Sequence, residues 1–197
     1  MGISLQKGQK ISLNKEAGGA LNKVIMGLGW DVKKAGGGLL KGVFGGGGAV
    51  SIDLDASCVL FDEQKKIVDT VWFRQLKSKD GSVVHTGDNR TGAGDGDDEQ
   101  IIVDLNKVPA NVKSLVFTVN SFTNQTFDQV ENAYCRLVDS GTNKEIARYT
   151  LSGQGSHTAQ IMAKVYRHEG EWKMHAIGEN GHGRTIDSLL PQITANL

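Results

Sequence analysis

From Ile52 to Cys58, the residues Ile52, Leu54, Ala56 and Cys58 alternate with Asp53, Asp55 and Ser57. A period of two places the apolar set on one face of a strand and both aspartates on the other. Residues 68–76 form a second strand-type run, rich in β-branched and aromatic side chains. Residues 100–105 and 114–122 are a third and fourth, with Pro109 in the connection. Residues 132–139 and 145–151 predict a hairpin about Ser140-Gly141-Thr142-Asn143, and residues 160–168 and 171–177 another about Glu169-Gly170. Short strands at this spacing predict a mainly β chain, a sandwich or a barrel. One late segment differs. From Thr185, placed as an N-cap, Ile186, Leu189, Leu190 and Ile193 fall at helical spacing, and Pro191 limits the helix to a short one.

Residues 87–99, reading G-D-N-R-T-G-A-G-D-G-D-D-E, pack Asp88, Asp95, Asp97, Asp98 and Glu99 together with only Arg90 to offset them. Each close pair of carboxylates costs on the order of a kcal/mol at an effective protein dielectric. The interleaved glycines make the backbone easy to bend and expensive to order. A hard cation bound through oxygens answers both problems, and calcium, with six to eight oxygen ligands, fits best. The spacing is not that of an EF-hand. Asp53 and Asp55 share a strand face, and Asp31 follows Gly29-Trp30 at the end of the preceding strand. Strand ends cluster at one rim of a sandwich, so these residues are candidates to close a site with the loop. The bland alternative is a solvated acidic turn beside an unrelated pair of aspartates.

Twenty-two basic residues balance 22 acidic ones. That removes the general electrostatic reason to expect nucleic acid or an anionic membrane as partner. The first residues lack the apolar core of a secretory signal, and no apolar run approaches membrane-spanning length. Two cysteines, Cys58 and Cys135, make no disulfide framework and no C-x-x-C. The expectation is a cytoplasmic protein with reduced thiols and no transmembrane segment. A glycine-rich stretch at 36–48 carries Leu39, Leu40, Val43 and Phe44; its composition reads as a surface loop inserted between two strands.

These motifs together resemble the TerD family of tellurite-resistance and stress-response proteins. The acidic loop looks like the family signature. G-L-G-W-D at 27–31, I-D-L-D-A-S at 52–57, V-V-H-T-G-D-N at 83–89, V-P-A-N-V, V-N-S-F, Q-T-F, V-E-N-A-Y-C-R, A-R-Y-x-L at 147–151 and the strand near Trp172 follow in order. The glycine-rich insertion and Gln154 to His157 look closest to the TerZ-like members. The resemblance covers essentially the whole chain as one domain, 1–197. It implies a two-sheet β-sandwich with short helices that binds calcium at one end. It also implies a non-enzymatic scaffold or sensor role in tellurite and chemical stress, within assemblies of other proteins near the inner face of the membrane. Carried over position by position, the implied calcium ligands are Asp88, Asn89, Asp95, Asp97, Asp98 and Glu99. Asp31, Asp53 and Asp55 match acidic positions near that site, and Glu131 and Asn120 match positions whose roles the motifs do not give.

The rival is a metal-dependent hydrolase or phosphoryl-processing enzyme using the same acids, with His85 as its base. The other histidines, His157, His168, His175 and His182, form no H-x-H or H-E-x-x-H grouping, and Gly155-Ser156-His157 is no nucleophile elbow. Cys58 and Cys135 both read as core residues, which disfavours tellurite coordination by thiolates.

Overall fold

The computed structural model describes residues 2–32, 52–87, 96–151 and 155–197. Two six-stranded sheets face each other. Sheet A runs in the order β1 (Ile3–Ser4), β10 (Lys144–Thr150), β9 (Val130–Asp139), β3 (Lys23–Val32), β7 (Glu99–Asp104) and β6 (Val83–His85). Sheet B runs β2 (Lys10–Ser12), β12 (Glu171–Gly181), β11 (Ala159–His168), β8 (Ser114–Ser121), β4 (Leu54–Phe61) and β5 (Ile67–Val71). Among the described residues only β1 and β10 pair in parallel. A short helix α1 (Leu13–Ala17) follows β2, capped by the Ser12 hydroxyl.

The inner faces meet as the alternation requires. Met26, Leu28 and Trp30 of β3 pack with Ile101 and Val103 of β7 against Leu54, Ala56, Cys58 and Leu60 of β4. Cys58 and Cys135 are buried and unbonded to each other, as expected of core residues. Burial pushes the Cys135 thiol up to about 12 and the Cys58 thiol higher still, so neither supplies thiolate near neutrality.

A second apolar cluster lies outside sheet B. Val59, Phe61, Val116, Ile161 and Ile177 are covered by Ile186, Leu189 and Ile193. The covering segment is a 3-10 turn (Ile186–Leu189) leading into α2 (Leu190–Ala195), with Pro191 in its first turn. The short C-terminal helix is therefore present, and it has a structural consequence the alternation did not give. Every residue of β4 and β8 is buried, on both faces. Asp53 and Asp55 share the face that α2 covers, and are 7% and 5% exposed.

The predicted strand at 68–76 ends at Val71. Trp72 and Gln75 exchange backbone hydrogen bonds (3.1 and 2.9 Å) across a tight turn. The Asp69 carboxylate fixes that turn by accepting from the backbone N–H of Thr70 and Lys79 and from Gln75 Nε2. A side chain that satisfies local backbone donors offers the chain an alternative to the ladder. Both predicted hairpins form, and β1, β2, β6 and α1 were too short to be seen as a pattern. The glycine-rich stretch at 36–48 lies outside the described residues. Among the described residues no helix is long and apolar enough to cross a membrane.

Candidate functional site

The end of the acidic loop meets sheet A where β3 and β9 slip register. Gly29 pairs with Tyr134 but Asp31 pairs with Glu131, so a bulge takes up the extra residue and Asn132 sits at a φ of 53°. A bulge leaves backbone groups outside the ladder. Here the Trp30 N–H donates to Asp98 Oδ2 at 2.9 Å, while the Asp98 N–H donates to the Leu28 carbonyl at 2.8 Å. Asp31 is held at the same bulge, accepting from Asn132 Nδ2 at 2.8 Å. Burial pushes the Asp98 carboxyl above the usual range against the Trp30 hydrogen bond, and the charges of Asp31, Asp97 and Glu99 push it further.

Glu99 does for β4 what Asp98 does for β3. β5 pairs with β4 only from Cys58 onward, which leaves the Ala56 N–H beyond the end of its partner strand. Glu99 Oε2 accepts it at 2.7 Å from a fully buried side chain. The same oxygen lies 3.4 Å from His85 Nε2. His85 Nδ1 accepts the Gly87 N–H at 3.1 Å, so the imidazole proton belongs on Nε2, facing the carboxylate. The ring is 3% exposed and enclosed. The two sheets are thus joined at this seam by a carboxylate on a backbone amide.

Asp97 turns the other way, onto the outer face of sheet A. Its oxygens accept from Arg136 Nε (2.7 Å) and Nη2 (3.2 Å), with Tyr134 Oη and Gln100 Nε2 at 3.3 and 3.2 Å. Only 1% of the Asp97 side chain is exposed. Two glycines of β3 make room for this cover. A Cβ on Gly27 would lie 2.2 Å from the Asp97 carboxylate, and one on Gly29 would lie 2.5 Å from Tyr134 Cζ. Tyr134 also donates to the Gly96 carbonyl at 2.7 Å. The network continues through Arg136 to Glu145 and on to Arg148, whose guanidinium stacks 4.0 Å from the Tyr134 ring centre.

Asp53 and Asp55 stand on the outer face of sheet B. Asp55 is opposite Asn120 across β4 and β8, and the Asp53 carbonyl accepts from the Phe122 N–H at 2.9 Å. Asn120 is fully buried. Its Nδ2 donates to the Gly183 and Thr185 carbonyls (3.0 and 3.1 Å), which ties the strand to the C-terminal cover. Its Oδ1 is enclosed with no hydrogen-bond partner among the described residues. An orphaned amide oxygen beside a carboxylate is a suitable donor for a hard cation.

The predicted ligands therefore divide. Asp31 and Asp98 meet at the bulge, Glu99 sits between the sheets, Asp97 lies over sheet A, and Asp53 and Asp55 lie outside sheet B beside Asn120. Asp88, Asn89 and Asp95 lie outside the described residues. Among the described residues no three His, Cys, Asp or Glu side chains converge to hold a metal ion. Arg136, Tyr134 and Asn120 were not assigned these roles from sequence. The signal for the first two was present in G-L-G-W-D: glycine at alternate positions of a strand leaves one face bare for something to lie upon.

With the geometry in place, comparison with known proteins is direct. The family model described as the TerD domain matches residues 1–192. The chain is 54% identical to the tellurium resistance protein TerZ of Serratia marcescens, over 98% of this chain and 97% of that one. It is 44% identical to the stress response protein SCP2 of Bacillus subtilis (strain 168), over 96% and 98% of the two chains. Among solved structures, a homologue of the telluride resistance protein (TerD) from Streptomyces coelicolor A3(2) matches with a TM-score of 0.70 at 19% identity, over 89% of this chain and 98% of that one. At that identity the match speaks for the sandwich fold alone.

Proposed function

This chain belongs to the TerD family, and from that premise we propose that it is a calcium-binding, non-enzymatic scaffold or sensor domain in tellurite resistance and the chemical stress response. The names of its relatives supply the physiological half of this reading. The crowding at Asp98 carries the calcium half: a carboxyl already raised by burial is pressed further by the charges of Asp31, Asp97 and Glu99, and of these three Arg136 pairs with Asp97. A divalent cation would relieve that repulsion.

The donor set fits a hard cation. It consists of oxygens, and the orphaned Asn120 Oδ1 beside Asp55 is an acceptor that a cation would satisfy. Asp31 and Asp98, which meet at the bulge, are the described residues that would hold calcium together with Asp88, Asn89 and Asp95 from the loop. Asp53 and Asp55 with Asn120 form a separate oxygen-lined group outside sheet B, and Glu99 is engaged by the Ala56 N–H between the sheets. Asp97 is assigned a positioning role instead, because both of its oxygens are engaged by Arg136. His85, enclosed against Glu99, fixes the seam and is no general base for external substrate. The partners of this chain would be other proteins of a cytoplasmic stress-response assembly near the inner membrane face.

A thermal melt in calcium, magnesium and chelator tests this. Calcium at a thousandfold excess over Kd should add roughly 4 kcal/mol of stability. An unchanged midpoint would sink the calcium site, and an equal shift with magnesium would remove its selectivity. Asp98→Asn keeps an acceptor for the Trp30 N–H while removing a charge, so it should weaken calcium binding and leave the apo fold no less stable. Turnover of phosphate or carboxylic esters by metal-loaded protein would instead favour the hydrolase reading.

A further inference from the structure

At the far end of β4 from Asp53 and Asp55, a cavity of about 390 Å³ opens between the turn at 62–66 and the β11–β12 hairpin. Lys65, Lys113 and Lys164 line it together with Tyr166 and His168. Strand register extends the same charge sideways: Lys164 lies beside His175, and His175 beside Lys10, across β11, β12 and β2. Acids are present at this cavity too, in Asp62, Glu63 and Glu169. Yet among the described residues none of the three lysines pairs with a carboxylate within 4.0 Å. Asp62 Oδ1 is taken up by the Lys66 N–H at 2.8 Å, and Glu169 faces His168 Nε2 at 3.6 Å.

Lys164 is the centre of this arrangement. Its half-buried ammonium donates to the Asn196 carbonyl at 3.2 Å, a neutral acceptor, and stands 5.5 Å from the centre of the Tyr166 ring. Burial, followed by the charges of Lys10 and Lys65, holds it below the usual lysine range. Burial and the charges of Lys10 and Lys164 act on His175 in the same direction, and its enclosed Nδ1 has no hydrogen-bond partner among the described residues. Cations gathered with no carboxylate at ion-pair distance repel as the carboxylates of the loop do, and a bound anion would offset them more closely than the acids at the cavity rim. Lysine ammoniums on flexible stems suit a tetrahedral oxyanion approached from several sides. The volume suits a small molecule rather than a bare ion, and the Tyr166 ring gives it an apolar wall.

We propose that this cavity is a binding site for a small phosphate monoester, its phosphate held by Lys164 and Lys65 and completed by Lys113. The site is built from residues remote from the acidic loop and stands whether or not calcium binds there. Titration of the isotopically labelled full-length chain with inorganic phosphate, followed by amide shifts and calorimetry at low salt, tests it. Saturable shifts centred on residues 62–66, 113 and 164–169 are expected. Lys164→Gln should weaken binding roughly tenfold, the loss of one strong charge contact. Lys65→Gln, on an exposed turn, should weaken it as well and keeps the readout open if the Lys164 variant fails to fold. No saturable response at these residues, or unchanged affinity in both variants, overturns the site. A parallel arm uses phosphatidylglycerol vesicles: capture by vesicles with no response to soluble phosphate would also overturn it, because the charge would then serve a surface and not a cavity.

Discussion

Outside sheet B, Val59, Phe61, Val116, Ile161 and Ile177 lie beneath Ile186, Leu189 and Ile193. Outside sheet A, Asp97 and Tyr134 lie over two bare glycines and are joined in one network with Arg136, Glu145 and Arg148. Each sheet has had its second face covered, one by apolar packing and the other by an ion-paired network. The first is non-directional and scales with area removed from water. The second depends on geometry, because Arg136 meets both oxygens of a carboxylate that is otherwise enclosed. The difference matters for function. The network contains Asp97 of the acidic loop, so a change of charge there reaches the outer face of sheet A directly, whereas the outer face of sheet B over Val59, Phe61 and Ile161 is covered by apolar side chains.

Three experiments test that contrast. The largest effect is expected from Leu189→Ala, which empties a fully buried position in the apolar cover and should cost about 3–4 kcal/mol by urea denaturation. That loss should be insensitive to salt. Arg136→Ala should cost somewhat less, about 2–3 kcal/mol, since it strands the Asp97 carboxylate although the guanidinium itself is partly exposed. Adding Asp97→Asn in the same chain should recover part of the loss. A cost below about 1 kcal/mol for Arg136→Ala would mean the polar cover is no more than a surface ion pair, and the contrast would fail.

The smallest effect concerns pH. His157 is buried at the rim of sheet B, stacked on Phe127 with ring centres 4.7 Å apart. Burial and then the charge of His182 hold its imidazole below the usual range, against Asp128. With the folded value lowered, the unfolded chain takes up its proton first. The stabilisation is therefore complete above about pH 6.5 and is lost as pH falls through the folded value. His157→Phe preserves a ring on Phe127 and should flatten the stability slope between about pH 7 and pH 5. An unaltered slope would assign that dependence to another group.

Much of the architecture was legible. The alternation at Ile52 to Cys58, the two hairpins and the short C-terminal helix each rest on a local period or turn, and local signals survive the absence of tertiary knowledge. The strand predicted at 68–76 ran too long because Asp69 supplies a side-chain acceptor that closes a turn the run of apolar residues does not announce. The candidate site was legible as composition and motif but not as geometry. Asp97, Asp98 and Glu99 are consecutive, yet they serve three surfaces, because strand alternation sends neighbours to opposite faces and a bulge in β9 claims the one between.

By itself the sequence determined that strands dominate, that carboxylates crowd one loop, and that two thiols belong to the core. Each follows from residue type and short-range spacing. Only the tertiary structure decided that Asp97 belongs to Arg136, that Glu99 secures β4, that Asp53 and Asp55 are buried on the outer side of sheet B, and that three lysines from a turn, a loop and a strand share one cavity. These arrangements join residues distant in sequence, and they are fixed by register and by which face each sheet must hide from water.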